Sequence, residues 1–257
     1  MAKLGQHFLA DPQVADRIVS AAGLRPEDSV VEIGPGEGVL TERLLARCKS
    51  LVAVELDGRL AERLGGRFSD WPGLRVIHGD FLKLDLAELP SPAVFVANLP
   101  YAVASPILQR ILEWPGWARA VLMFQKEVAD RLLAGPGTRK YGLLSVSVAI
   151  KARTEKICDV PRRMFRPPPR VDSSVVRLDP LSEPFLPASV TEQRFLSMAR
   201  AAFAHRRKTV SNSLAHALGA PKDEIERALR DAGLDPGSRA EQISPEDFVE
   251  LCEKFSS

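Results

Sequence analysis

Five short apolar runs with amphipathic stretches between them constrain the fold of this chain more than any other feature. They are Val30–Ile33, Leu51–Val54, Leu74–Ile77, Ala93–Ala97 and Ala120–Met123. Short runs of this kind, almost without polar interruption, are the pattern of strands covered on both faces. Helical patterns separate them at Val39–Cys48, Gly58–Phe68, Pro106–Trp114 and Glu127–Ala134. A leading helix is predicted from Pro12 to Ala22, with Asp11 as its N-cap and Pro12 in the first helical position. Regular alternation of strand and helix predicts an α/β fold with a mainly parallel sheet. Two later runs, Leu143–Ile150 and Ser173–Leu178, read as an antiparallel pair at the sheet edge.

After Asp179 the composition changes. Pro180, Pro184 and Pro187 mark a linker, and Ser189-Val190-Thr191-Glu192 reads as a capping box. Helices are predicted over about 191–204 continuing to 216, over 221–232 and over 245–255. The last opens with Ser244-Pro245-Glu246-Asp247, a cap, a first-position proline and two acids at the positive helix end. The expected division is a larger α/β domain over residues 1–183 and a small helical domain over 184–257.

Two motifs fall at predicted strand ends. Glu32-Ile33-Gly34-Pro35-Gly36-Glu37-Gly38 is a glycine loop between strand and helix. Its glycines alternate, unlike the G-x-G-x-x-G spacing that serves a pyrophosphate at a helix N-terminus. The loop suits S-adenosylmethionine, which carries no phosphate and needs close approach to the main chain. Glu55 after the second strand can accept from a ribose diol. Asp80 after the third can accept from an adenine amine, with Phe81 packing on the ring. The second motif, Asn98-Leu99-Pro100-Tyr101, ends the run Ala93–Ala97. It places an amide, a fixed turn and an aromatic face together, the parts needed to hold the exocyclic amine of a flat base. The Asn98 oxygen and a carbonyl, that of Leu99, would accept the amine hydrogens, Pro100 would aim the turn, and Tyr101 would stack on the base. Phe165 is the candidate for the opposite face. The pair of motifs, in this order, predicts methyl transfer to an amino group of a nucleobase.

Charge supports a nucleic-acid substrate. The net charge is only +2, but residues 151–177 carry eight Lys/Arg against three Asp/Glu, and residues 194–208 carry five Lys/Arg and no acid. Two zones of +5 leave about −8 on the remainder. Cys48, Cys158 and Cys252 show no Cys-x-x-Cys spacing. They predict free thiols in a cytoplasmic protein, with neither disulfides nor a metal site. No apolar run approaches a membrane span and no signal-peptide core is visible.

With these residues in view the chain resembles the rRNA adenine dimethyltransferases of the KsgA type. Gly5-Gln6-His7-Phe8-Leu9 is similar to the family's G-Q-N/H-F-L element, and Glu32–Gly38, Glu55, Asp80 and Asn98–Tyr101 match its loop, its two acids and its tetrapeptide. Phe165-Arg166-Pro167-Pro168-Pro169-Arg170-Val171-Asp172-Ser173 resembles its F-x-P-x-P-K-V-x-S segment, with Arg170 where Lys is commoner. Phe203-Ala204-His205-Arg206-Arg207-Lys208-Thr209 with Asn212-Ser213-Leu214 resembles its basic C-terminal helix. The resemblance implies a Rossmann-like class I S-adenosylmethionine-dependent methyltransferase with a small helical C-terminal domain. The implied reaction is dimethylation of two adjacent adenines in the 3′-terminal stem-loop of small-subunit 16S rRNA, in the subunit or its late assembly intermediate. The implied cofactor contacts are Gln6, His7, Leu9, Gly34, Gly36, Glu55, Asp80, Phe81 and Asn98. Arg162, Arg163, Arg166, Arg170, Arg206, Arg207 and Lys208 are the expected RNA contacts. The short stretch before Gly5 is expected to lack part of the family's basic arm, and a monomer is expected. Three rivals are a 23S rRNA adenine methyltransferase of the antibiotic-resistance type, a non-catalytic RNA-binding assembly factor and an NAD-linked oxidoreductase.

Overall fold

The computed structural model describes residues 7–205 and 207–255. Expected site residues Gln6 and Arg206 lie outside them. In chain order the elements are β1 (Phe8–Leu9), α1 (Pro12–Ala21), β2 (Ser29–Ile33), α2 (Val39–Leu45), β3 (Ser50–Glu55), α3 (Gly58–Arg67), β4 (Leu74–His78), β5 (Ala93–Asn98), α4 (Ala104–Glu113), β6 (Trp117–Gln125), α5 (Lys126–Leu132), α6 (Leu143–Ala149), β7 (Ala152–Val160), β8 (Phe165–Arg166), β9 (Ser173–Pro180), α7 (Glu192–Phe203), α8 (Val210–Leu218), α9 (Lys222–Asp231) and α10 (Pro245–Lys254).

The larger sheet runs β4-β3-β2-β5-β6-β9-β7. Strands β4, β3, β2, β5 and β6 pair in parallel, and β9 joins β6 antiparallel. The strand order reverses direction between β2 and β5, and a crevice opens at that point in sheets of this kind. Burial follows the apolar runs. β2, β3 and β5 are buried almost end to end, whereas β4 at the edge is only partly covered. Val30, Leu51, Val94 and Val121 pack under α1 and α2, where Ile18 and Leu44 are fully enclosed. Asp11 caps α1 by accepting from the Val14 amide at 3.0 Å. Register then sets the site. Ile33 lies opposite both Val54 and Ala97, so Gly34, Glu55 and Asn98 emerge side by side.

Residues sort into two compact units, Met1–Ala129 with Thr154–Pro180, and Asp130–Arg153 with Leu181–Ser257. The second unit therefore takes its chain from two places, beyond the single expected division after residue 183. Its core includes Tyr141, Val146 and Ile150 from the earlier segment and Phe195, Leu214, Leu229 and Phe248 from the later one.

Two expectations are corrected. Leu143–Ile150 is not an edge strand. It forms α6, because the apolar core of the second unit takes up Val146 and Ile150 and the Ser145 hydroxyl donates to the Arg131 carbonyl at 2.6 Å. The strand in this region is β7, a mostly polar stretch that lies beside β9. Nor is there one helix from 191 to 216. α7 ends at Phe203, and α8 starts afresh behind Thr209, whose hydroxyl accepts from Asn212. Buried Ser213 closes the break. Its hydroxyl donates to the Ala201 carbonyl at 2.9 Å and accepts from the His205 amide at 3.2 Å. Arg207 and Lys208 thus stand exposed in a turn between helices, not on a helix.

Candidate active site

A cavity of about 450 Å³ lies over the carboxyl ends of β2, β3 and β5, within the usual size of a small-molecule site. His7, Leu9, Gly34, Gly36, Glu55, Asp80, Phe81 and Asn98–Tyr101 all line it. The expected cofactor and base residues within the described chain therefore meet in one place, with Phe165 excepted.

The glycine loop is shaped by its own hydrogen bonds. Gly34, Gly36 and Gly38 have φ of 67°, 57° and 82°, in the left-handed region that glycine adopts without strain. Their amides are all used, by the Val54 carbonyl at 2.9 Å, a Glu55 carboxylate oxygen at 3.0 Å and the Pro35 carbonyl at 2.9 Å. The loop glycines therefore hold no spare amides to cradle a pyrophosphate, which counts against a dinucleotide. A Cβ at Gly34 would meet nothing within 4 Å, so this glycine opens the cavity to close approach by a ligand. At Gly36 it would strike the Phe8 ring at 3.0 Å, so the N-terminal strand closes on that glycine.

Glu55 accepts from Gly36 with one oxygen and from the Asp57 amide at 2.9 Å with the other. A carboxylate has about four acceptor sites, and the remaining two can take a ribose diol. Asp80 holds the turn after β4 by accepting from the Leu82 amide at 3.0 Å with Oδ1. Phe81 is buried, lines the cavity and meets Phe95 edge-on. Leu56, half exposed, adds apolar surface to the cavity lining. An apolar cavity lined by the acids Glu55 and Asp80 and by an open glycine loop fits S-adenosylmethionine.

At the other side of the cavity Asn98 donates from Nδ2 to the His7 carbonyl at 3.2 Å. Among the described residues nothing donates to its amide oxygen Oδ1. Leu99 is buried, and among the described residues nothing donates to its carbonyl. Pro100 holds φ −61° and ψ 124°, and the short turn Tyr101–Val103 follows. The Tyr101 hydroxyl bonds Ser173 Oγ at 2.7 Å, and burial raises its pKa above the ordinary phenol value. The Tyr101 ring faces the His7 ring at a centroid distance of 6.1 Å.

Phe165 does not line this cavity. It is 1% exposed, lies in the main core and pairs with Leu9 through the β1–β8 ladder. Arg162, Arg163, Arg166 and Arg170 are exposed on the segment that carries β8, and among the described residues none forms an ion pair with a carboxylate. The expectation of a site without metal concerns the whole chain. Among the described residues no cluster of three His, Cys, Asp or Glu is grouped to hold one.

One buried acid was not singled out as a functional residue. Glu32 is 1% exposed, lines the cavity and accepts from the Thr41 hydroxyl at 2.7 Å. Burial, aided by the charge of Glu55 and opposed by the Thr41 bond, pushes its pKa up to about 8. The signal in the sequence was an acid standing inside the apolar run Val30–Ile33.

Comparison with known proteins agrees with this geometry. The sequence matches the family described as Ribosomal RNA adenine dimethylase over residues 1–257. A protein of Syntrophotalea carbinolica named Ribosomal RNA small subunit methyltransferase A is 45% identical over 98% of this chain and 95% of its own. One of the same name from Shouchella clausii is 41% identical over 99% and 89%. Among solved structures, a dimethyladenosine transferase from Plasmodium falciparum superposes with TM-score 0.83 at 28% identity, covering 95% of this chain and 96% of that one. The 23S rRNA methyltransferase ErmE superposes with TM-score 0.78 at 33% identity, covering 96% and 98%. The fold is thus the Rossmann-like methyltransferase fold, and similarity extends across both compact units. On the match of its entire length, this chain belongs to the ribosomal RNA adenine dimethylase family.

Proposed function

We propose that this protein transfers methyl groups from S-adenosylmethionine to the exocyclic amines of two adjacent adenines in the 3′-terminal stem-loop of small-subunit 16S rRNA, giving dimethyladenosines. The observation that carries this reading is the placement of Asn98-Leu99-Pro100-Tyr101 in one cavity with Gly34, Glu55 and Asp80. The names of the relatives at 41–45% identity favour the small subunit over the large one. We place the activity in the cytoplasm on a monomeric enzyme, with the subunit or its late assembly intermediate as partner. Among the described residues no helix is long and apolar enough to cross a membrane.

The residues account for the chemistry in order. Bound S-adenosylmethionine supplies an electrophilic methyl group on a sulfonium. Glu55 and Asp80 would hold its ribose and adenine ends, with His7 and Leu9 lining the same cavity. An adenine amine is a weak nucleophile because its lone pair is shared with the ring. Asn98 Oδ1 and the Leu99 carbonyl each accept one amine hydrogen, which favours a pyramidal nitrogen with its lone pair directed at the methyl. Orientation of this kind supplies roughly several kcal/mol of the barrier. Stacking on Tyr101 holds the extruded base and contributes about 1–3 kcal/mol. Methyl transfer breaks the bond to sulfur and leaves the amine positively charged; that cation is acidic and releases one proton to water, so no strong base is required. Exposed Arg162, Arg163, Arg166 and Arg170, with Arg207 and Lys208 on the helical unit, supply phosphate contacts that position the RNA.

The test is methyl transfer from labelled S-adenosylmethionine to ribosomal subunits purified from cells lacking the modification. The expected product is dimethyladenosine at two adjacent positions of 16S rRNA, identified by nucleoside mass spectrometry. Methylation of 23S rRNA alone, or cofactor binding with no transfer to either subunit, would overturn the proposal.

A further inference from the structure

We infer that the exposed imidazole of His216, backed by His205, is a stacking platform on the helical unit for an unpaired nucleotide of the rRNA; this rests on the reading of the substrate given above. His205 lies just past α7, and His216 lies in the last turn of α8. Their ring centroids are 4.9 Å apart, with the planes tilted by 58°. His205 is half-buried and His216 is exposed. The backbone that sets this pair is tied down. The His205 amide donates to Ser213 Oγ at 3.2 Å, and its carbonyl accepts from the Lys208 amide at 2.9 Å. The rings themselves are unspent, because among the described residues no hydrogen bond reaches either imidazole.

The surroundings decide what such a pair can take. Two adjacent imidazoles could start a metal site, but among the described residues no third His, Cys, Asp or Glu joins them. The turn between the two helices also opposes a cation. Arg207 and Lys208 are exposed there, and among the described residues neither forms an ion pair. Residues 194–208 carry five Lys/Arg and no acid, and α8 adds no acid. Free aromatic rings beside free cations suit a ligand with a flat π-face and a negative charge, which is a nucleotide. Bases inside a duplex are already stacked, so the occupant is a nucleotide of a loop, bulge or single strand. Phosphate contacts fix position without reading bases. The platform adds to Arg207 and Lys208 a means of recognising an unpaired position.

The experiment measures binding of the full-length protein to small subunits that lack the modification, over a range of salt concentrations. His216→Leu keeps bulk without a ring, and His216→Phe keeps a ring without its nitrogens. His216→Leu should lower affinity about five- to a hundredfold, the range for one base–aromatic stack. The loss should be the same at every salt concentration, giving a line parallel to the parent's, because a stack releases no counterions. His216→Phe should bind within about threefold of the parent, since the stack is retained. A photoreactive benzophenone side chain at position 216 should cross-link to a nucleotide of 16S rRNA. Equal losses in the Leu and Phe variants would assign the role to the ring nitrogens and overturn the stack. A flatter salt dependence in either variant would show His216 acting as a charge and overturn it likewise. Parent-like binding by His216→Leu, or a cross-link only to a ribosomal protein, would remove the platform. Should His216→Leu fail to fold, His205→Leu and His205→Phe are compared by the same readings. Binding is read without turnover, so a parent that methylates neither subunit would refute the proposed function and leave this comparison standing.

Discussion

Replacing Glu32 by Gln tests the electrostatics of the cavity floor. Glu32 is enclosed at 1% exposure and holds its proton up to about pH 8, against an ordinary value of 4.5. In the unfolded chain the same carboxyl ionises at its ordinary value. Between those two values folding takes up a proton, so stability falls as pH rises. The contribution of Glu32 is complete below about pH 4.5 and is lost by about pH 8. Each pKa unit corresponds to about 1.4 kcal/mol, so the window spans on the order of 3–5 kcal/mol. Gln has the same shape, accepts the Thr41 hydroxyl through its amide oxygen and does not titrate. The assay is urea unfolding of parent and Glu32→Gln from pH 5 to 8. The variant should gain stability relative to the parent with rising pH, by a few kcal/mol over the range. Titration elsewhere in the chain cancels in the difference. Stability curves that run parallel across the range would show that Glu32 is already ionised in the native protein and refute the reasoning.

Asn98→Ala should leave S-adenosylmethionine binding within about twofold while kcat falls by about a hundredfold or more, because the amide acts on the reacting amine; an unchanged kcat in single-turnover assays removes Asn98 from the mechanism. Glu55→Ala should weaken cofactor binding by about 1.5–3 kcal/mol, the value of charge-assisted bonds. Glu55→Gln should lose less, since its amide oxygen can still accept from one backbone amide, and equal affinities by calorimetry would exclude the ribose contact. Arg206→Ala/Arg207→Ala/Lys208→Ala should flatten the salt dependence of subunit binding by about two to three in slope, with cofactor affinity retained. Identical salt plots for parent and triple variant would shift RNA docking to Arg162, Arg163, Arg166 and Arg170.

The parts of the fold legible in the sequence were those whose signal is local. Parallel strands buried on both faces leave unbroken apolar runs, and β2, β3 and β5 could be read for that reason. Asp11-Pro12 and Ser244-Pro245 announced their helices because a cap acts within one turn. Leu143–Ile150 misled because Leu-Leu-Ser-Val-Ser-Val-Ala-Ile is β-branched and alternates like a strand. Packing of Val146 and Ile150 with residues some 50–100 positions later in the chain decided for a helix. β7 left no apolar run to find, because edge strands carry polar residues on exposed faces. In the cavity, Gly34, Glu55, Asp80 and Asn98 could be named because each follows a strand. The bonds that orient them could not. Asn98 reaches back 91 positions to His7, and His7 reaches across 160 to Pro167. Nor could the enclosure of Phe165 be read, because its strand partner Leu9 lies far back in the chain.

The helical unit is sewn into the chain at two places, and this bears on how such a protein can be cut or rebuilt. Ending the polypeptide after Pro180 would leave Tyr141, Val146 and Ile150 in the remaining piece without Phe195, Leu214 and Phe248 to cover them. A truncation meant to isolate a minimal methyltransferase would therefore carry an uncovered apolar helix and tend to precipitate. Exchange of the helical unit between relatives demands matched seams near residues 130 and 153 as well as 180. On the ribosome, too, the sheet awaits β9 while the first stretch of the helical unit has already emerged and waits for partners not yet synthesised.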